Sequence, residues 1–225
     1  MKTQILKMAA LTVMAFVVII ISSSKKTKAA DKNMVVTELK DVRNIHKVSI
    51  MGNVELFLTQ GVEENLKVYN NYYSKNALVQ WENGELRISS FENEKLTVHI
   101  TVANLSALEA SGESTITTTN ELSAIDLDIQ LKDNAKAIVQ AEAINISSTL
   151  SDKAKLELAG ESINQHIGLS GAAEYQASKF DAQTRSMLIA NNAAASISQQ
   201  GQSTLIKTIT NVPAKEDELI FEPIL

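Results

Sequence analysis

From residue 31 onward the apolar positions alternate with polar ones or gather in short runs. No segment shows the 3.6-residue period of a helix. Residues 54–59 form an apolar-rich run closed by Gln60 and Gly61, and residues 66–69 follow after Glu63, Glu64 and Asn65. Residues 78–81 and 86–89 flank Asn83-Gly84, the strongest short signal for a β-hairpin because both residues tolerate the positive φ of a type I′ turn. Residues 96–102 alternate strictly, as a half-buried strand does. The pattern predicts an all-β chain.

Beyond residue 103 a longer period appears. Gly112, Asp133, Asp152, Gly171 and Asn192, residue types that accept a left-handed turn, recur at intervals of 21, 19, 19 and 21 residues. Two positions before each stands an apolar residue (Ala110, Leu131, Leu150, Leu169, Ala190). Two positions after stands a small one (Ser114, Ala135, Ala154, Ala173, Ala194). Internal repeats of this length read as stacked units whose equivalent positions form ladders. The expected fold is a right-handed, single-stranded parallel β-helix, a solenoid of about 19–21 residues per coil, with an N-terminal portion containing the β-hairpin. A β-sandwich also fits short strands with regular turns.

Composition divides the same way. Residues 31–102 contain one Ala and six aromatics, whereas residues 104–211 contain seventeen Ala and two aromatics, as a narrow stacked interior requires. The absence of Cys excludes a disulfide framework, a thiolate metal site and a cysteine nucleophile. Lys2 and Lys7 precede an apolar run, residues 8–21, too short to cross a bilayer and suited to a secretory signal peptide. Residues 1–30 are expected to be that peptide and a short basic junction, cleaved after Ser24 or Ala30 unless the run stays as an anchor. Residues 31–212 would form one domain, and 213–225 a tail able to cap its last coil. Net charge is −5 for the whole chain and −10 once the five lysines of residues 1–30 are removed. That balance disfavours nucleic acid and anionic membrane surfaces as partners. An exported protein of the periplasm or cell surface is expected, with no transmembrane span in the mature chain.

Several of these motifs occur in a fixed order. Val54, Leu56, Leu58, Thr59, Gln60 and Gly61 come first, then Gly84, Leu86 and Ile88, then Val98, Ile100 and Val102. Leu108 to Gly112 follow, and the serial triplets Leu150-Ser151-Asp152 and Leu169-Ser170-Gly171 close the series. In this the chain resembles the bacterial family of putative auto-transporter adhesins with a head GIN domain, over roughly residues 40–210. The resemblance implies a right-handed β-helix exported from Bacteroidetes-type bacteria, with no established catalytic residues.

Candidate chemistry is sparse. Asp126 and Asp128 share one face of residues 125–129, with Ile125, Leu127 and Ile129 expected to point inward and with Asn145 and Ser147 in register one repeat later. Such carboxylates could hold Ca²⁺ or a sugar hydroxyl, or serve acid/base hydrolysis. Tyr69, Tyr72, Tyr73 and Trp81 are the other candidates, because exposed rings stack on sugars. His46, His99 and His166 lack ligand spacing, so no metal, cofactor or catalytic residue is expected. The function expected is a non-enzymatic exported interaction module, an adhesin for glycans or envelope proteins. The alternatives are a polysaccharide lyase or hydrolase, and a purely structural envelope protein. The pattern of the chain does not fix an oligomeric state.

Overall fold

The computed structural model describes residues 36–39, 42–69, 77–91, 93–197 and 203–209. The chain divides into two units, Met1–Met34 and Val35–Leu225, and every described residue lies in the second. The expected signal segment, Tyr72, Tyr73 and the tail beyond residue 212 lie outside the described residues.

Among the described residues there are fifteen strands and no helix. They are β1 (Val36–Leu39), β2 (Lys47–Gly52), β3 (Val54–Gln60), β4 (Asn65–Tyr69), β5 (Ala77–Glu82), β6 (Glu85–Ser90), β7 (Leu96–Val102), β8 (Ala107–Ser111), β9 (Thr115–Thr118), β10 (Leu122–Leu131), β11 (Lys136–Leu150), β12 (Lys155–Leu169), β13 (Glu174–Ala190), β14 (Ala194–Ile197) and β15 (Ser203–Ile209). Asn83 and Gly84 adopt φ of 51° and 77° and join β5 to β6 antiparallel, as their sequence predicts. In β7 the alternating Leu96, Val98, Ile100 and Val102 are all buried.

All fifteen strands belong to one sheet, which is open and curled like a half-barrel. The expected right-handed parallel β-helix is therefore corrected. The sheet is mixed: β4 runs antiparallel to both β1 and β7, and β5 antiparallel to β6. Eleven of the strands run in the order β1-β4-β7-β3-β9-β11-β10-β8-β2-β6-β5, which does not follow the sequence; off this path β12 pairs with β11 and β13, and β13 with β14 and β15. The β2–β3 segment lies between β6–β7 on one side and β8–β9 on the other, so residues 60 apart become neighbours, as at Ile50 and Ala110. A regular period in one half cannot reveal an insertion made from the other half.

Within the second half the period does set the register. Lys136 pairs with Lys155 and Leu150 with Leu169, an offset of 19 residues between parallel neighbours. Parallel neighbours ordinarily need a crossover of a dozen or more residues. Here the connections are residues 151–154 and 170–173, and the strands make the crossover by bending along their own length.

The turns stack as well. Gly112, Asp133, Asp152 and Gly171 have φ of 74°, 61°, 62° and 70°. Backbone bonds tie each to the next: Asn134 N donates to the Gly112 carbonyl, Lys153 N to that of Asp133 and Ala172 N to that of Asp152. The small residues after them, Ser114, Ala135, Ala154 and Ala173, are fully buried. The fifth turn residue is Asn191 (φ 60°) rather than Asn192; it follows Gly171 by one residue more than the preceding 19-residue intervals, because β13 carries one extra residue. Glu157 pairs with Gln176 but Ala159 with Lys179, so a bulge at Ala177–Ser178 lengthens the offset from 19 to 20.

Inward columns of Leu, Ile, Val and Ala fill the core. Toward β13 one column turns polar: Leu127 and Ile146 give way to Gln165 and Arg185, all four buried. Arg185 Nε donates to Gln165 Oε1, Gln165 Nε2 donates to the Tyr175 hydroxyl at 2.6 Å, and an Arg185 terminal nitrogen donates to the Phe180 carbonyl at 3.2 Å. These bonds satisfy groups whose burial would otherwise cost a few kcal/mol each, by about 1–3 on mutational scales. Burial also drives the Tyr175 phenol above its ordinary pKa of 10.0, since a phenolate would be stranded away from water.

Candidate functional site

The strands β10 to β13 break their alternation at one shared place, apart from the bulge that β13 carries at Ala177–Ser178. In β11, Ala143 faces inward, Ile144 and Asn145 both face outward, and Ile146 returns to the core. The same pairs recur at Ile125–Asp126, Ile163–Asn164 and Gln183–Thr184. The first residue of each pair drops out of the ladder register, so the four strands bend together. The inward residue just before each bend is small: Ala124, Ala143, Ser162 and Ala182.

This shared bend makes a groove across the strands, of about 1380 Å³, lined by Ala124, Ala143, Ser162 and Ala182 together with their outward neighbours. Ile125, Ile144 and Ile163 stand in a row, 69%, 44% and 43% exposed. One residue earlier than the small column, Ser123, Glu142, Glu161 and Asp181 form a second row. On the other side of the isoleucines, Asn145 Nδ2 donates to Asp126 Oδ1 at 2.7 Å and Asn164 Nδ2 to Asn145 Oδ1 at 2.8 Å. That chain of amides holds its polar ends in fixed directions. His46, Asn104, Leu105 and Ser106 close the groove near β8. Among the described residues its lining contains four carboxylates and neither Lys nor Arg.

Of the described ligand candidates Tyr69, Trp81, Asp126 and Asp128, only Asp126 lines this groove. It pairs with Asn145, and Asp128 with Ser147, as their spacing indicated. Ile125, expected to point inward, instead faces solvent, because the strand bends between Ala124 and Leu127. Asp128 is half-buried and accepts a bond from Gln130 Nε2 at 2.7 Å. Tyr69 lies elsewhere, its ring 4.8 Å from that of His99, which lies 4.7 Å from Phe57, on strands β4, β7 and β3. Trp81 sits on β5 opposite Leu86, on the face that carries Val79 against the core, and is 43% exposed at the edge of the sheet. The structure thus brings neither aromatic candidate to the carboxylates. Among the described residues no group of three or more His, Asp or Glu side chains is placed to hold a metal ion. No helix among them is long and apolar enough to cross a membrane.

The rows of isoleucine and acid were present in the sequence as residues 19 apart, Ile125, Ile144 and Ile163 beside Glu142 and Glu161. What obscured them was the assumption of unbroken alternation through residues 124–127.

A family model described as "Putative auto-transporter adhesin, head GIN domain" matches residues 44–206. Solved structures share the fold at low identity. A putative lipid binding protein from Parabacteroides distasonis ATCC 8503 has a TM-score of 0.62 at 14% identity, covering 80% of this chain and 94% of its own. A putative adhesin from Bacteroides fragilis NCTC 9343 has a TM-score of 0.60 at 16% identity, covering 80% and 98%. A second putative adhesin from Parabacteroides distasonis ATCC 8503 reaches 0.66 at 11%, covering 80% and 95%. No curated protein matches the chain.

Proposed function

The chain belongs to the head GIN domain family of putative auto-transporter adhesins, and on that premise we propose that it is an exported, non-enzymatic binding module that attaches to cell-surface or envelope components through the bent groove of β10–β13. The observation that supports this reading is the row of exposed isoleucines between a row of acids and the hydrogen-bonded Asp126–Asn145–Asn164 chain. Three large apolar side chains kept in water at one aligned bend make a contiguous apolar stripe, which marks contact surfaces more often than scattered exposure does. Asp126 takes its role as one end of that face. The Tyr69–His99–Phe57 rings, on other strands, are a separate and smaller surface on which a sugar could stack. The lipid-binding description of one structural relative has less support here, since the groove offers carboxylates where an anionic headgroup would need cations.

The test is attachment of the labelled chain to intact cells and to arrays of neutral and acidic glycans, wild type against Ile144→Arg/Ile163→Arg. Loss of attachment in a variant that unfolds at the wild-type temperature supports the groove as the contact face. Undiminished attachment removes it.

A further inference from the structure

Resting on the reading of the groove as a contact face, we propose that its occupant is a cationic amphipathic helix of a partner protein, laid across the strands. Three features of the groove point to it. The first is charge. Asp126, Glu142, Glu161 and Asp181 line the groove with no Lys or Arg among the described residues of its lining. The field therefore repels acidic chains and draws in basic ones.

The second is the apolar stripe. A small cation, a hydrated sugar or a free polyamine would leave Ile125, Ile144 and Ile163 in water, whereas a helix with one apolar face would cover them. The third is spacing. Neighbouring strands lie about 4.8 Å apart, so the isoleucines and the acids each recur at about that distance along the groove. A helix repeats a face every ~5.4 Å, close enough to keep register over three strands. An extended peptide running the same way repeats a face about every 6.7 Å and falls out of step by the second strand.

The probe is a fluorescent helix-forming peptide of Leu and Lys with one apolar face, titrated into the full chain by anisotropy. Controls are the same pattern with Glu for Lys, and a Leu/Lys peptide of equal composition with its apolar face scrambled. The Leu/Lys helix is expected to bind, more weakly as salt rises, and at least about tenfold more tightly than either control. Glu142→Gln/Glu161→Gln/Asp181→Asn and, separately, Ile144→Ser/Ile163→Ser should each weaken it by about tenfold or more. These positions are outward-facing; Glu161→Lys alone provides a second reading if the triple variant unfolds early. Equal binding of the Glu or scrambled peptide, or full binding by the folded variants, overturns the proposal. So does an absence of peptide binding while Ile144→Arg/Ile163→Arg still abolishes cell attachment, and that result leaves the groove's adhesive role intact.

Discussion

Ser162 is the one residue of the small column that carries a hydroxyl, and it is buried with no hydrogen-bond partner for Oγ among the described residues. Its neighbours in the column, Ala143 and Ala182, show what the space accepts. Ser162→Ala should therefore raise stability by about 1 kcal/mol, read from denaturant unfolding, because an unmet buried hydroxyl costs about 1–3 kcal/mol. Tyr175 makes the opposite case. Below pH 10 the phenol is protonated in both folded and unfolded chains; above it the unfolded chain releases the proton first, which pulls the equilibrium toward unfolding. Stability should fall from about pH 10 upward by as much as ~1.4 kcal/mol per pH unit, and Tyr175→Phe should lack that component. At neutral pH the same variant should lose about 1–3 kcal/mol, since Gln165 Nε2 loses its acceptor.

At the scale of the strand, the bulge in β13 is the informative irregularity. Ser178 and Lys179 both face outward, so one residue there is in excess of the alternation kept by β11 and β12. Deleting Ser178 would restore the 19-residue offset without turning any inward residue out, and the melting temperature should shift by only a few degrees. Deleting Ile138 from β11 would reverse Ala137 against Val139 and every inward residue on one side of it, and cooperative melting should be lost. β12 has a demand of its own at Gly160, two residues before Ser162, where φ is +117° and a Cβ would strike the Ala141 carbonyl oxygen. The strands of the first half were legible from alternation and from Asn83-Gly84, because those signals are local. The long strands were legible only as spaced columns. Their bend was not, since two successive outward residues look like a slip in an otherwise regular pattern.

The order of strands across the molecule lay furthest from what sequence could show. Nothing in residues 47–60 announces that they will lie against residues 107–118 on one side and 85–102 on the other. The pairing depends on which edge remains uncovered when the chain returns, a property of the assembled sheet. Family resemblance was carried by motif order, which survives such a rearrangement, and so the family was legible where the architecture was not. The candidate groove belongs to the same scale: no one strand contains it, and of the described ligand candidates Tyr69, Trp81, Asp126 and Asp128 only Asp126 lines it. Pairings this distant in sequence place folding in the range of about milliseconds to seconds, which stopped-flow refolding would measure.

The 19-residue offset makes β10–β12 a graduated rule. Residues 136–154 comprise one strand and one turn; β12 meets the strand at an offset of 19, and β10 meets its residues 141–150 at the same offset. Duplicating that segment in tandem should insert one more rung, extend the isoleucine and glutamate rows together, and lengthen the groove by about 4.8 Å while its width stays as it is. Reach could then be set by the number of rungs, independently of the chemistry written along them.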